Sequence, residues 1–251
     1  MKKKIFAIFV ASLLTMTTII PVAAQENAPT ETEYKISAID LTLSVTDELN
    51  VLTRNVSNGN PALDILDADA VELQNSYLQN HIYLNAFPDD LSYEILITST
   101  DVHNSDAKNF SELSEEDFTD YMATVTAEYE KIESEELISI NLYENGTTKY
   151  VCTYTHSTLN DVSSYVIKYY TVMNGRNYNY IMQTDDLEID DTLSFIMQNI
   201  VDSAQYTEVE SSITESGLFM ELYETFIGFG LTVIVLGGIL FMLTRTGKKA
   251  K

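Results

Sequence analysis

Apolar and polar positions alternate with a period of two along much of residues 34–206. In Asp40–Thr46, Leu41, Leu43 and Val45 alternate with polar residues, which predicts a strand with one wet face. Ile138, Ile140 and Leu142 alternate in the same way in Leu137–Tyr143, and Tyr93, Ile95 and Ile97 mark another strand. Three longer strands are predicted over about 147–157, 163–174 and 177–184. Asn145-Gly146 and Asn174-Gly175 separate successive members of this run. Asn-Gly accepts positive φ at both central positions, as a type I′ turn requires. Residues 137–184 are therefore expected to form a four-stranded antiparallel meander.

Elsewhere the period lengthens to that of a helix. Asn60-Pro61 reads as an N-cap followed by proline at the first helical position. A second start is expected at Asp69, with Glu72 completing a capping box. A helix from Ser114 has Leu113 placed to staple against Phe118. Phe118, Tyr121, Met122, Val125, Tyr129 and Ile132 trace its apolar face. The last helix is expected to start at Asp190/Asp191, with Leu193, Ile196, Met197, Ile200, Val201 and Ala204 as its stripe. One-faced helices with long strands imply an α+β domain: an antiparallel β-sheet covered by helices, spanning 34–206.

The ends of the chain read differently. Lys2, Lys3 and Lys4 precede an uncharged apolar run, Ile5 to Ile20, and small residues at Val22-Ala23-Ala24. This is the pattern of a signal peptide over 1–24. Residues 25–33 are polar and expected to form a flexible leader, and 207–225 a stalk. Residues 226–243 are 18 residues without a charge. At about 1.5 Å per residue such a helix reaches roughly 27 Å, enough for one C-terminal transmembrane helix. Arg245, Lys248, Lys249 and Lys251 follow it, so 244–251 is expected to be a basic cytoplasmic tail with the preceding domain outside. The short lysine-rich leader and single anchor point to a bacterial envelope.

Charge sharpens this division. The 251 residues hold 38 acidic and 14 basic side chains. All the acidic ones lie between Glu26 and Glu224 with seven basic ones, a formal charge of −31. Such a segment excludes nucleic-acid binding, which needs clustered Lys and Arg. The single Cys excludes an internal disulfide.

The element order, together with Leu41–Asn55 and Tyr165–Thr184 and a terminal helix closing with Asn199–Tyr206, resembles the PsbP-like family. The resemblance implies an α/β/α sandwich over about 34–206, with Leu41–Asn55 as its first hairpin. It also implies non-catalytic roles in binding, assembly or stabilisation of membrane complexes. The proline- and tryptophan-bearing motif common near the start of such domains is missing here, and no functional residue carries over.

Candidate chemistry is sparse. His81, His103 and His156 show no zinc-site spacing. His156 is expected to share a sheet face with Tyr150, Cys152 and Tyr154, and Cys152 to be a buried, inert thiol. Ser105-Asp106-Ala107-Lys108 matches the SxxK spacing of penicillin-binding enzymes but has no SDN or KTG partner. Asp185, Asp186, Glu188, Asp190 and Asp191 crowd the turn before the last helix. They read either as a solvated, helix-capping turn or as hard oxygen ligands for Ca²⁺. No other cofactor is indicated. Of the 16 tyrosines, Tyr169 and Tyr170 must face opposite sides of their strand. The reading favoured at this level is a non-catalytic, membrane-anchored extracytoplasmic binding or assembly module. It would be held in the membrane by 226–243 and serve an envelope partner. The alternatives are an envelope hydrolase, or a ligand or divalent-cation sensor acting through a membrane partner.

Overall fold

The computed structural model describes residues 30–102, 108–132, 134–159 and 162–207. The strands are β1 (Glu31–Ile36), β2 (Leu41–Thr46), β3 (Asn50–Thr53), β4 (Ile82–Phe87), β5 (Tyr93–Asp101), β6 (Glu135–Asn145), β7 (Thr148–Leu159), β8 (Val162–Met173), β9 (Arg176–Asp185) and β10 (Gln205–Tyr206). The helices are α1 (Pro61–Leu66), α2 (Ala70–Gln79), α3 (Glu115–Tyr129) and α4 (Asp191–Ser203).

The α-helices begin where short polar side chains satisfy orphan amides. Asn60 accepts from Ala62 N, Asp69 from Val71 N and Glu72 N, Ser114 from Asp117 N, and Asp190 from Leu193 N. Pro61 occupies the first turn of α1, where its missing N–H leaves no bond unmade. Leu113 and Phe118 join one apolar cluster at the start of α3.

Strands β6 to β9 form the expected meander and continue through β5, β4 and β3 into one seven-stranded antiparallel sheet. Its order is β3-β4-β5-β9-β8-β7-β6. At the β8–β9 turn Asn174 has φ 53° and Gly175 φ 71°, the two left-handed positions of a type I′ turn. The β6–β7 turn slips by one residue from the expected position. Asn145 pairs with Thr148, so Gly146 and Thr147 are central, and Gly146 is at φ 60°. Glycine at the first central position is the type II′ solution, and it leaves Asn145 free to extend the strand.

Period-2 alternation sends side chains to two different layers. On one face, Leu96, Ile181 and Val166 pack under α1 and α2. On the same face Val151, Tyr170 and Val172 pack under α3. On the other face Leu84, Ala86, Ile95, Ile97, Tyr178, Tyr180 and Met182 meet α4 and β2.

Three expectations are corrected. Glu31–Glu33, expected in the flexible leader, open β1, which pairs with β2. The segment Leu41–Asn55 is not a hairpin: β2 belongs to a second, three-stranded sheet of order β1-β2-β10, and β3 to the large sheet. The turn at Asp47–Leu49 carries the chain from one sheet to the other. The second layer is therefore not helices alone, as in a plain α/β/α sandwich, but α4 beside this small sheet. The β2 stripe Leu41, Leu43 and Val45 joins Met197, Ile200 and Val201 of α4 in one cluster over this face. No helix among the described residues is long and apolar enough to cross a membrane. Residues 1–24 and 226–243 lie outside the described residues.

Candidate functional site

The face under the small sheet is a tyrosine layer. Tyr206 of β10 inserts its hydroxyl between those of Tyr150 and Tyr180, at 3.1 and 2.7 Å. Its ring meets Tyr178 edge-on at 4.8 Å. The Tyr178 hydroxyl donates to Ile39 O at 2.7 Å, and Tyr143 donates to Asp202. Burial pushes the Tyr150 and Tyr178 phenols up to about 12, so they stay neutral at physiological pH. Just after Tyr206, Thr207 N donates to Asp40 O and Asn174 Nδ2 donates to Thr207 O. Tyr169 and Tyr170 face opposite layers, as their adjacency demands.

The helix-covered face contains buried ionisable groups that pattern reading overlooked. Glu94 lies in register with Gln183, which donates to its Oε1, while Asn85 Nδ2 donates to Oε2 at 3.4 Å. Burial pushes the Glu94 carboxyl up to about 8; the nearby Asp185 adds to this, and the two amides hold it back. Lys168 sits in register between Ile181 and Thr153, separating the α1–α2 patch from the α3 patch. Burial pulls its ammonium down to about 8, against the attraction of Glu135. Burial likewise raises the Glu135 carboxyl, and Lys168 opposes that rise. Asn85 Oδ1, Thr98 Oγ1, Glu135 Oε1 and Gln183 Oε1 are buried without a hydrogen-bond partner among the described residues. One signal was present: Glu94 in Tyr93–Ile97 and Lys168 in Tyr165–Met173 are charges on strands apolar on both sides.

A serine–histidine contact occurs at the far end of β7 and β8. His156 Nε2 and Ser163 Oγ are 2.6 Å apart. The imidazole stacks on Tyr165 at 4.6 Å. Glu136, in register with His156, places Oε2 at 3.9 Å from Nδ1. That exceeds a hydrogen bond, and the Glu136 side chain is 78% exposed, so it does not fix the imidazole tautomer. His156 does share its face with Tyr150, Cys152 and Tyr154. Cys152 is half-buried, and burial pushes its thiol up to about 11, a poor nucleophile at neutral pH. His103 and Ser105 lie outside the described residues.

The acidic turn is dispersed in role. Asp185 closes β9 opposite Ser164, Asp186 adopts φ 53°, Asp190 caps α4, and Asp191 lies in its first turn. Glu188 is exposed. Among the described residues no group of three or more His, Cys, Asp or Glu side chains is placed to hold a metal ion.

No family model and no curated protein matches the chain. Solved structures do. Cyanobacterial PsbP (CyanoP) from Synechocystis sp. PCC 6803 is 9% identical over 75% of this chain and 99% of its own, at a TM-score of 0.44. LpqN of Mycobacterium tuberculosis, described as involved in cell envelope biogenesis, is 12% identical over 72% of this chain and 93% of its own, at 0.41. A variant of Mog1 is 6% identical over 70% and 96%, at 0.40. The similar structures thus include a PsbP domain, the family that the sequence resembles. The likeness concerns the fold, and no residue role passes from these proteins to this chain.

Proposed function

We propose that this protein is a membrane-anchored, extracytoplasmic binding or assembly module of a bacterial envelope, without an enzymatic role. The observation that carries the reading is the division of charge and hydropathy along the chain. A segment of formal charge −31 is followed by 18 uncharged, mostly apolar residues and then by Arg245, Lys248, Lys249 and Lys251. The placement of the reactive groups agrees with it. The Tyr150, Tyr178 and Tyr180 side chains and those of Glu94, Glu135 and Lys168 lie within the layers of the domain. A crosslinked pull-down from native membranes tests the proposal, comparing the full chain with one ending at Gly217. A stoichiometric partner of the full chain is expected. No partner in either sample overturns it.

One observation favours a second reading, an envelope hydrolase: the 2.6 Å contact between His156 and Ser163. Ser163 would be the nucleophile and His156 its base. Labelling by a fluorophosphonate, lost in Ser163→Ala with folding intact, supports that reading. Absence of labelling in the wild type eliminates it.

A further inference from the structure

The edges of the two sheets are treated unequally. β3, one edge of the large sheet, is four residues long. β1, an edge of the small sheet, alternates the charged residues Glu31, Glu33 and Lys35. β10 is two residues long. Short and charged edges are how sheets discourage further pairing. β6 is different. It is 11 residues long, ends the order of the large sheet, holds no Lys, Arg, Pro or Gly, and confines its charges to its ends, at Glu135, Glu136 and Glu144. Leu137–Tyr143 is uncharged, and Ile138 and Leu142 are 46% and 43% exposed. The bulge between Leu137 and Ser139 disturbs only the first part of the strand. Ser139–Asn145 then runs in unbroken register with β7.

We propose that β6 is a docking edge for strand addition by an extended segment of a partner protein. That segment alternates apolar residues at its centre and carries Lys or Arg at its ends. Main-chain pairing would supply affinity, Ile138 and Leu142 the apolar contacts, and Glu136 and Glu144 the end charges. A second copy of this chain fits poorly. The antiparallel register that joins Ile138 to Leu142 also sets Glu136 against Glu144, twice. The two copies would also bring together segments of like formal charge, −31 each. This inference deepens the binding-module reading and rests on it.

The test uses the full chain in detergent and a short fluorescent peptide of alternating valine and threonine with lysine at each end. Saturable binding is expected, weakened by added salt and accompanied by slower amide exchange in Ser139–Glu144. A glutamate-ended peptide is expected to bind about ten-fold more weakly or worse. Leu142→Lys and Ile138→Lys, both at exposed positions, should each abolish binding without moving the melting temperature appreciably. No binding, equal binding of both peptides, or protection away from β6 overturns the proposal. So does a concentration-dependent dimer that Leu142→Lys dissolves. The assay reads the edge whether or not 226–243 lies in a bilayer, so failure here and failure of the anchor reading are separate results.

Discussion

The two faces of the seven-stranded sheet solve the same problem in opposite ways. Both bury polar side chains among apolar ones. Under the small sheet the polar groups are mainly tyrosine hydroxyls, and they find partners: Tyr178 on Ile39 O, and Tyr206 on Tyr150 and Tyr180. Under the helices they include the ionisable Glu94, Glu135 and Lys168, and several polar atoms there, the Tyr77 and Tyr121 hydroxyls among them, have no hydrogen-bond partner among the described residues. A hydroxyl on a rigid ring can reach a carbonyl or another hydroxyl across a layer. A carboxylate or ammonium needs several partners, and apolar helix stripes offer few. The tyrosine face therefore reads as a fixed joint, and the helix face as the part of the fold most sensitive to conditions.

The largest expected contrast is with pH. A carboxyl raised by folding contributes stability that is complete below its unfolded value near 4.5 and is lost as pH rises through about 8. Glu94 is thus expected to remove up to about 5 kcal/mol of stability across that window. In Glu94→Gln this slope should flatten, as measured by urea denaturation at several pH values. An unchanged slope breaks the contrast between the faces. Lys168 acts in the opposite sense. Its folded value lies below its unfolded one, so its penalty eases as pH rises from about 8 to 10.5.

Next in size, Lys168→Met is expected to cost about 3 kcal/mol, because Glu135 then keeps a buried charge without its counterpart. The double change Lys168→Met with Glu135→Leu should recover most of that loss. If both variants are equally destabilised, the pair is not coupled. On the tyrosine face the losses should be smaller. Tyr206→Phe removes two hydroxyl contacts and is expected to cost about 1–2 kcal/mol without any pH slope below pH 9. The smallest effect is expected at the acidic turn. Asp190→Ala should cost about 1 kcal/mol through the lost cap. Asp186→Asn should stay near zero, since Asn tolerates φ 53° as well as Asp does. Both are read from melting temperatures.

Much of the architecture was readable from local rules. The caps at Asn60, Asp69, Ser114 and Asp190 and the turn at Asn174-Gly175 depend on one or a few neighbouring residues, and each stands where the sequence places it. The α3 and α4 stripes likewise pack as their 3.6-residue spacing demands. The candidate site was hardly readable. Glu94, Asn85 and Gln183 come from three strands, and His156 meets Ser163 only because β7 and β8 pair in one register.

The sequence by itself determined the starts of the four α-helices, the meander and the division into an acidic domain between apolar ends. Period, caps and turn residues act within a few positions, and charge is a sum. Tertiary structure alone decided that β2 leaves β3 for a second sheet, and that Gly146-Thr147 rather than Asn145-Gly146 forms a turn. It alone placed Tyr206 between Tyr150 and Tyr180, buried Glu94 and Lys168, and left β6 as the long edge. Each of these outcomes depends on which layer covers a face, and that competition for apolar cover is settled among residues far apart in the chain.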